Sequence, residues 1–213
     1  MAIAKGRSDI KCERDFVKQG FDEQIGILKN DQLQQERRLK SQLDNIHSDS
    51  TIDNDEKFSI EKPLVEELQN IQERHIRIRR TIMIGLYAFW ELSLKAIIDL
   101  KCTKSSNSEK QISVTKDKKK SISWNYLNVI YDDSIPLIAL DIDGPIRVLR
   151  NHMVHGKLPK EQLEQLNSFS TNHPELYLSI SIEGCNFYSY DGLLNLLNII
   201  SHELNNAESV IYK

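Results

Sequence analysis

The sequence predicts an all-α protein, a helical bundle with an N-terminal helical extension and one small β-hairpin near residues 177–190. Glycine and proline are scarce, with 8 and 5 residues in a chain of 213, as expected where tight turns are few. The main apolar segments repeat at helical intervals. Hydrophobic residues make up 39% and charged residues 28% of the chain, which suffices for a packed core and excludes global disorder.

The bundle prediction rests on this periodicity and on the scarcity of turn residues.

Composition also limits the partners and the compartment. The formal net charge is −3, so no overall positive field attracts nucleic acid or an anionic membrane, and such contact must be local. Cys12, Cys102 and Cys185 lie far apart and lack a paired Cys or His at metal spacing. This predicts free thiols in a reducing cytosol, with no metal and no cofactor. The N-terminus lacks the apolar stretch of a secretory signal, so we expect a cytoplasmic protein.

Residues 1–58 are expected to form the N-terminal helical extension and an acidic loop. Apolar side chains at helical spacing over residues 13–47 predict one or two amphipathic helices. Residues 47–58 are acidic and poor in apolar side chains, which predicts a surface loop. The helical domain then spans residues 59–213, and Pro63 is expected at a first helical position.

Residues 82–100 form the most apolar window of the chain. Glu91, Lys95 and Asp99 interrupt it, so it is expected to be a buried central helix and not a membrane span. Tyr87, Phe89 and Trp90 are then core residues. By contrast, the arginines at 74, 77, 79 and 80 are expected on a solvated helix face.

The second half is predicted to begin with a basic loop over residues 101–123, which holds seven lysines without helical periodicity. A helix over residues 124–131 follows. Asp143 and Pro145 are expected to start a short helix as N-cap and first residue. That helix runs to His155, and Gly156 ends it in the left-handed conformation.

Alternating side chains over residues 177–190 predict a β-hairpin. Asp191 is expected to cap a last helix that ends near Val210. The sequence contains no internal repeat.

Arg150 interrupts an apolar face of the short helix. It lies about 40° from Ile146 on an ideal helix, inside the stripe that includes Leu149 and Met153. A guanidinium there needs a partner or an open site. Because Glu91 is embedded in the apolar central helix in the same way, we expect Glu91 and Arg150 to pair or to share a cleft. A purely structural pair is the alternative.

Asn151 and His155 are four residues apart, on the helix edge next to Arg150. The final helical turn favours positive charge on His155, and a histidine there also serves as a cap for terminal carbonyls. In RNA cleavage a base removes the 2′-hydroxyl proton, an acid protonates the leaving 5′-oxygen and a cation stabilises the phosphorane. Arginine and histidine supply these functions without a metal.

The segment Arg150-Asn151-His152-Met153-Val154-His155-Gly156 resembles the signature of the HEPN superfamily, an arginine followed by a histidine about four to six residues later. Asn151 and Gly156 fit the form common among small prokaryotic members. The apolar segment LYAFWELSLKAII resembles the first core helix of these domains. The resemblance implies a HEPN-like helical bundle, a metal-independent endoribonuclease of toxin or phage-defence type, and a homodimer in which two motifs share one cleft.

By this resemblance Arg150 stabilises phosphate charge, His155 acts as acid or base, and Asn151 orients the phosphate or the imidazole, with Glu91 in support. Arg147, His152 and Lys157 are further candidates for RNA contact. Arg147 and His152 form a second match to the spacing, but no polar residue follows Arg147, and His152 is expected on the ordinary surface.

Two other functions stay open. Family members that work with a nucleotidyltransferase antitoxin often carry a tyrosine where this chain has Lys157, so that form of regulation is not implied. A non-catalytic HEPN-like module that binds an antitoxin, a defence-system partner or a small ligand is the main alternative. A plain helical scaffold is the third.

Overall fold

The chain is described by a computed structural model over residues 2–104, 121–132, 134–156, 159–181 and 184–211. Helices account for most of these residues, and the strands among them form one two-stranded hairpin. The prediction of an all-α protein with one small hairpin is therefore confirmed.

Two long helices, α1 (Ala2–Ser48) and α2 (Asn54–Lys104), pack along each other. Arg38 pairs with Glu67 at 3.1 Å, and Arg79 Nη1 donates to Gln32 Oε1 at 3.0 Å. Arg38, the later of the two α1 residues, contacts Glu67, the earlier of the two α2 residues. The two helices are therefore antiparallel. The helical pattern over residues 13–47 thus belongs to one long helix.

The connection between α1 and α2 is shorter than the predicted acidic loop of residues 47–58. Only residues 49–53 lie outside the helices, because Asp53 Oδ1 accepts the Glu56 N–H at 2.9 Å and starts α2 there. Pro63 lies inside α2 and not at its first position. Pro63 is exposed. Water can therefore satisfy the backbone carbonyl group that lacks a hydrogen-bond donor because proline has no N–H. The predicted domain boundary at residue 58 falls inside α2.

The second half of α2 is the buried central helix that the sequence predicts. Tyr87, Phe89 and Trp90 belong to the core. Over the described residues, one window within Asn54–Leu100 is long and apolar enough to cross a membrane by composition, and 56% of that window is buried inside the fold. This burial agrees with a core helix.

Shorter elements cover the central helix. In chain order they are α3 (Ile122–Tyr131), α4 (Leu137–Asp141), a π-helical turn (Ile142–Ile146), α5 (Arg147–His155), α6 (Lys160–Asn172), a 3-10 turn (Pro174–Leu176), β1 (Leu178–Ser181), β2 (Gly184–Phe187) and α7 (Tyr190–Ile211). The strands are antiparallel, with Leu178 opposite Phe187. The sequence analysis did not predict α6. Most of the predicted basic loop, residues 105–120, lies outside the described residues.

The last helix, α7, packs against both α1 and α2. Lys29 of α1 pairs with Asp191 at 2.6 Å, and Arg14 pairs with Glu208 in a buried contact. The N-terminal helix is therefore part of the same helical packing. Asp191 lies within α7 and is not its cap; Ser189 Oγ accepts the Asp191 N–H at 3.0 Å instead.

A buried polar cluster lies where α1, α2 and α7 meet. His75 is fully buried, and its Nδ1 is 2.7 Å from the Tyr190 hydroxyl. Arg79 is buried too, donates from Nε to the Phe187 carbonyl at 2.7 Å and lies over the Tyr190 ring. The prediction that Arg79 belongs to a solvated helix face is therefore wrong, because tertiary contacts cover that position.

His75 predicts an acid-sensitive fold. Burial, followed by the charge of Arg74, lowers the pKa of His75 below its usual 6.5. The unfolded chain therefore takes up a proton that the folded chain does not, and stability falls as the pH drops below about 6.5. We expect His75→Asn, which keeps a hydrogen-bonding group near Tyr190, to reduce this pH dependence by up to about 1.4 kcal/mol per pH unit.

Urea unfolding between pH 5 and pH 7.5 measures this slope. His202→Asn, at an exposed position of α7, is the matched control and should keep the slope of the unsubstituted chain. Equal slopes for the His75 and His202 variants would contradict the prediction.

Candidate functional site

The short helix α5 carries the residues that the sequence analysis singled out. Val148, Leu149 and His152 form its buried face. Gly156 ends it with φ +68°, and the Gly156 N–H donates to the His152 carbonyl at 2.7 Å. The prediction that Gly156 closes the helix in the left-handed conformation is confirmed.

The helix begins differently from the prediction. Asp143 and Pro145 lie in the π-helical turn that joins α4 to α5 without a break, and no side chain caps α5. The turn and N-cap predicted at residues 143–145 are therefore wrong. The Asp143 carboxylate instead accepts hydrogen bonds from the hydroxyl groups of Ser121 and Ser123, at the start of α3.

Arg150 and Asn151 lie together on α5, and His155 follows at the end of the same helix. Both Arg150 and Asn151 are half-buried, and Arg150 Nη1 donates to Asn151 Oδ1 at 2.9 Å. His155 is exposed. In the part of the chain that the structure describes, its ring makes no hydrogen bond. The structure thus joins the arginine and the amide, while the imidazole stays open to solvent one turn after Asn151.

Glu91 is half-buried on α2 and is electrostatically coupled to this helix. Burial raises the pKa of Glu91; the charge of Arg150 opposes that shift, the charge of Asp143 adds to it, and the nearby Tyr87 hydroxyl opposes it. Among the described residues, Glu91 and Arg150 form no ion pair within 4.0 Å. Of the two predicted arrangements, the direct pair is therefore not formed, and a shared polar region agrees with the effect of the Arg150 charge on the pKa of Glu91.

The raised pKa of Glu91 predicts a stabilising substitution. The folded state binds the proton more tightly than the unfolded state, so ionised Glu91 lowers stability once the pH exceeds its unfolded pKa. We expect Glu91→Gln to raise the free energy of unfolding at pH 7 by about 1 kcal/mol, with a smaller gain at pH 4.

Denaturant unfolding at the two pH values checks this expectation. Glu66→Gln changes an exposed glutamate of the same helix and should have little effect at either pH. A Glu91→Gln variant that is less stable than the unsubstituted chain at pH 7 would show that Glu91 is held by a stabilising partner.

A chain of hydroxyl groups connects Tyr87 to Asp143. The Tyr87 hydroxyl is 3.0 Å from Ser123 Oγ, and Ser123 Oγ donates to Asp143 Oδ1. Ser121 Oγ donates to the same carboxylate oxygen at 2.6 Å. Sequence reasoning missed this network because it joins α2, the start of α3 and the π-helical turn, which are far apart in the chain.

His152 is placed differently from the prediction. It is only 8% exposed, and its Nε2 accepts the Cys185 N–H of β2 at 3.2 Å. The expected surface position is wrong, because the hairpin covers this side of α5. His152 therefore does not offer its ring to RNA in this arrangement.

The other two candidates for RNA contact are Arg147 and Lys157. Arg147 is half-buried, and its Nε donates to the Asp143 carbonyl at 3.1 Å. Lys157 lies outside the described residues. Among the residues that the structure does describe, no group of three or more His, Cys, Asp or Glu side chains is arranged to hold a metal ion.

Comparisons of the chain with protein-family models, with curated proteins and with solved structures found no match. The resemblance of residues 150–156 to the HEPN signature therefore rests on those residues alone.

Proposed function

We propose that this chain is a metal-independent endoribonuclease of the HEPN type, acting in the cytoplasm as a toxin or phage-defence protein. One observation carries the proposal. Arg150 and Asn151 are hydrogen-bonded at 2.9 Å on α5, and the exposed His155 follows at the end of the same helix. A cation, an amide and an imidazole thus lie along one short helical edge.

Each residue has a role in the proposed reaction. His155 accepts the proton of a ribose 2′-hydroxyl, and the 2′-oxygen forms a bond to phosphorus. Arg150 stabilises the negative charge of the phosphorane, and Asn151 holds the guanidinium in place. The bond from phosphorus to the 5′-oxygen then breaks, and a protonated imidazole supplies the proton to that oxygen. The products are a 2′,3′-cyclic phosphate and a 5′-hydroxyl.

The reaction needs one imidazole to accept a proton and one to donate it. A symmetric dimer supplies both if its two α5 helices lie near each other, as the resemblance implies, and twofold association is the commonest oligomeric form. Val154, next to His155, is 45% exposed and offers an apolar contact at this edge.

We therefore expect a homodimer that depends on the α5 edge. Light scattering should report a dimer at micromolar concentration, and Val154→Asp should shift it toward monomer because a buried carboxylate is costly. Ile27→Asp, at an exposed apolar position of α1, is the control and should stay dimeric. A monomer at high concentration would contradict the expectation.

Labelled mixed RNA tests the proposed activity. Purified chain should cleave the RNA equally well with and without EDTA. Loss of cleavage in EDTA would refute metal independence, and intact RNA under all conditions would refute the nuclease.

A binding module is the second candidate function. Arg150 already has Asn151 as a hydrogen-bond acceptor, and no described residue orients the His155 ring. A partly exposed edge of arginine, amide and histidine beside Val154 also suits recognition of a partner protein, such as an antitoxin or another defence component. Stable capture of a partner by a chain that leaves RNA intact would favour this function.

A further inference from the structure

Asp143 is a buried carboxylate whose contacts converge on the candidate site. Its side chain accepts hydrogen bonds from Ser121 and Ser123, and the residue is only 5% exposed. A carboxylate is costly to bury, and two hydroxyl donors offset part of that cost. These contacts fix the π-helical turn against the start of α3.

The main chain of the same residue holds an arginine. In the π-helical turn, the Asp143 carbonyl accepts a hydrogen bond from Arg147 Nε at 3.1 Å. π-Helical turns are rare and are frequent at functional sites. Arg147 and Arg150 are three residues apart on α5, so their side chains project from the same side of the helix. Fixing the turn therefore also fixes Arg147 beside Arg150.

We propose that Asp143 is a positioning residue that holds Arg147 as a second phosphate-binding arginine of the site. The inference rests on the proposed function, since the phosphate is that of the RNA substrate. Among the described residues, no hydrogen bond occupies the two terminal nitrogens of Arg147, so they are left for the ligand while Nε is bound to the Asp143 carbonyl. Two fixed guanidinium groups bind a phosphate more specifically than one flexible group does.

The substitution Asp143→Asn separates positioning from simple electrostatics. Asparagine removes one negative charge near the site, and its neutral amide oxygen weakens the charge-assisted hydrogen bonds from Ser121 and Ser123 that fix the turn. If only net charge mattered, RNA would bind more tightly to this variant. If Asp143 positions Arg147, RNA binds less tightly despite the gain in positive charge.

The experiment measures binding of a 2′-O-methyl oligoribonucleotide, which cannot react through its 2′-oxygen, as a function of salt concentration. Arg147→Gln should weaken binding and lower the salt slope by about 0.7, the loss of one phosphate contact on a single strand. Asp143→Asn should cause a loss in the same direction, and the double variant should lose little more than Arg147→Gln alone. Arg37→Gln, at an exposed position of α1, should keep the slope.

A second measurement does not depend on RNA. Hydrogen exchange of the Arg147 Nε–H, followed by NMR, should be slower than that of Arg37 and should become faster in Asp143→Asn. Circular dichroism confirms that each variant is folded, and Ser123→Ala replaces Asp143→Asn if that variant does not fold.

The outcomes distinguish the two proposals. Tighter or unchanged binding by folded Asp143→Asn, with weaker binding by Arg147→Gln, overturns the positioning role and leaves the proposed function standing. An unsubstituted chain that does not bind the oligonucleotide overturns the proposed function. If the chain does not bind the oligonucleotide, hydrogen exchange of the Arg147 Nε–H as fast as that of Arg37 would also overturn the positioning role. Slow exchange that Asp143→Asn accelerates would support the positioning role.

Discussion

His155→Ala is expected to reduce RNA cleavage by about 10²- to 10⁴-fold, the usual loss when a general acid–base group is removed. Arg150→Ala is expected to reduce it by about 10²- to 10³-fold, the usual loss when a group that stabilises transition-state charge is removed. His155 is exposed, so its removal costs little packing. Arg150 is half-buried and bonds to its neighbour Asn151, so its loss also frees that amide. Both variants should therefore stay folded. The site then lacks its proton carrier in His155→Ala and the cation that stabilises the phosphate charge in Arg150→Ala.

Initial rates on a labelled RNA, measured together with melting curves, check this expectation. His202→Ala removes an exposed histidine from α7 and should cleave at the rate of the unsubstituted chain. Folded His155→Ala that retains full activity would remove His155 from the mechanism. His152→Ala is not a suitable control, because it deletes a buried side chain.

Gly192→Ala is expected to destabilise the fold by about 3 kcal/mol or more, or to prevent folding. A Cβ at this position would overlap the Leu176 carbonyl oxygen, and it would lie 2.7 Å from the Leu176 carbonyl carbon and 3.0 Å from Phe187 Cδ1. The carbonyl belongs to the backbone, so no side-chain rotation relieves the overlap. The first turn of α7 would have to move away from the 3-10 turn and the hairpin.

Gly26→Ala is the matched control. Gly26 lies within α1, and a Cβ there meets no atom within 4 Å, so alanine should raise stability by about 0.5–1 kcal/mol. Chemical denaturation of both variants measures the difference. Equal stabilities would show that α7 does not approach Leu176 as closely as the structure indicates.

Local sequence signals predicted the elements that depend on local chemistry. The helical repeat of apolar residues predicted α2 and its buried second half, and Gly156 predicted the end of α5. Alternating side chains predicted the hairpin. In each case, the residues that determine the element lie within the element itself.

Contacts between distant segments account for the errors. Asp143 is a good N-cap by residue type, but hydroxyl groups from the start of α3 bind its carboxylate. His152 and Arg79 occupy positions that a helical wheel leaves open, and β2 covers both through backbone groups. A pattern within one helix contains no information about which segment packs on it.

The sequence predicted only part of the candidate site, because only some of its residues lie on the same helix. Arg150, Asn151 and His155 share one helix, so their spacing places them along a common edge. Glu91 belongs to another helix, and its coupling to Arg150 followed from the expectation that buried charges need partners. The sequence did not indicate that burial would outweigh the charge of Arg150 and raise the pKa of Glu91.

The most direct test of the central claim is the chemical identity of the new RNA ends. RNA incubated with purified chain in EDTA should acquire 2′,3′-cyclic phosphate and 5′-hydroxyl ends, which mass spectrometry of the fragments identifies, and His155→Ala should not produce them. Fragments with 5′-phosphate and 3′-hydroxyl ends, or cyclic ends produced equally by His155→Ala, would contradict attack by the 2′-hydroxyl at this site.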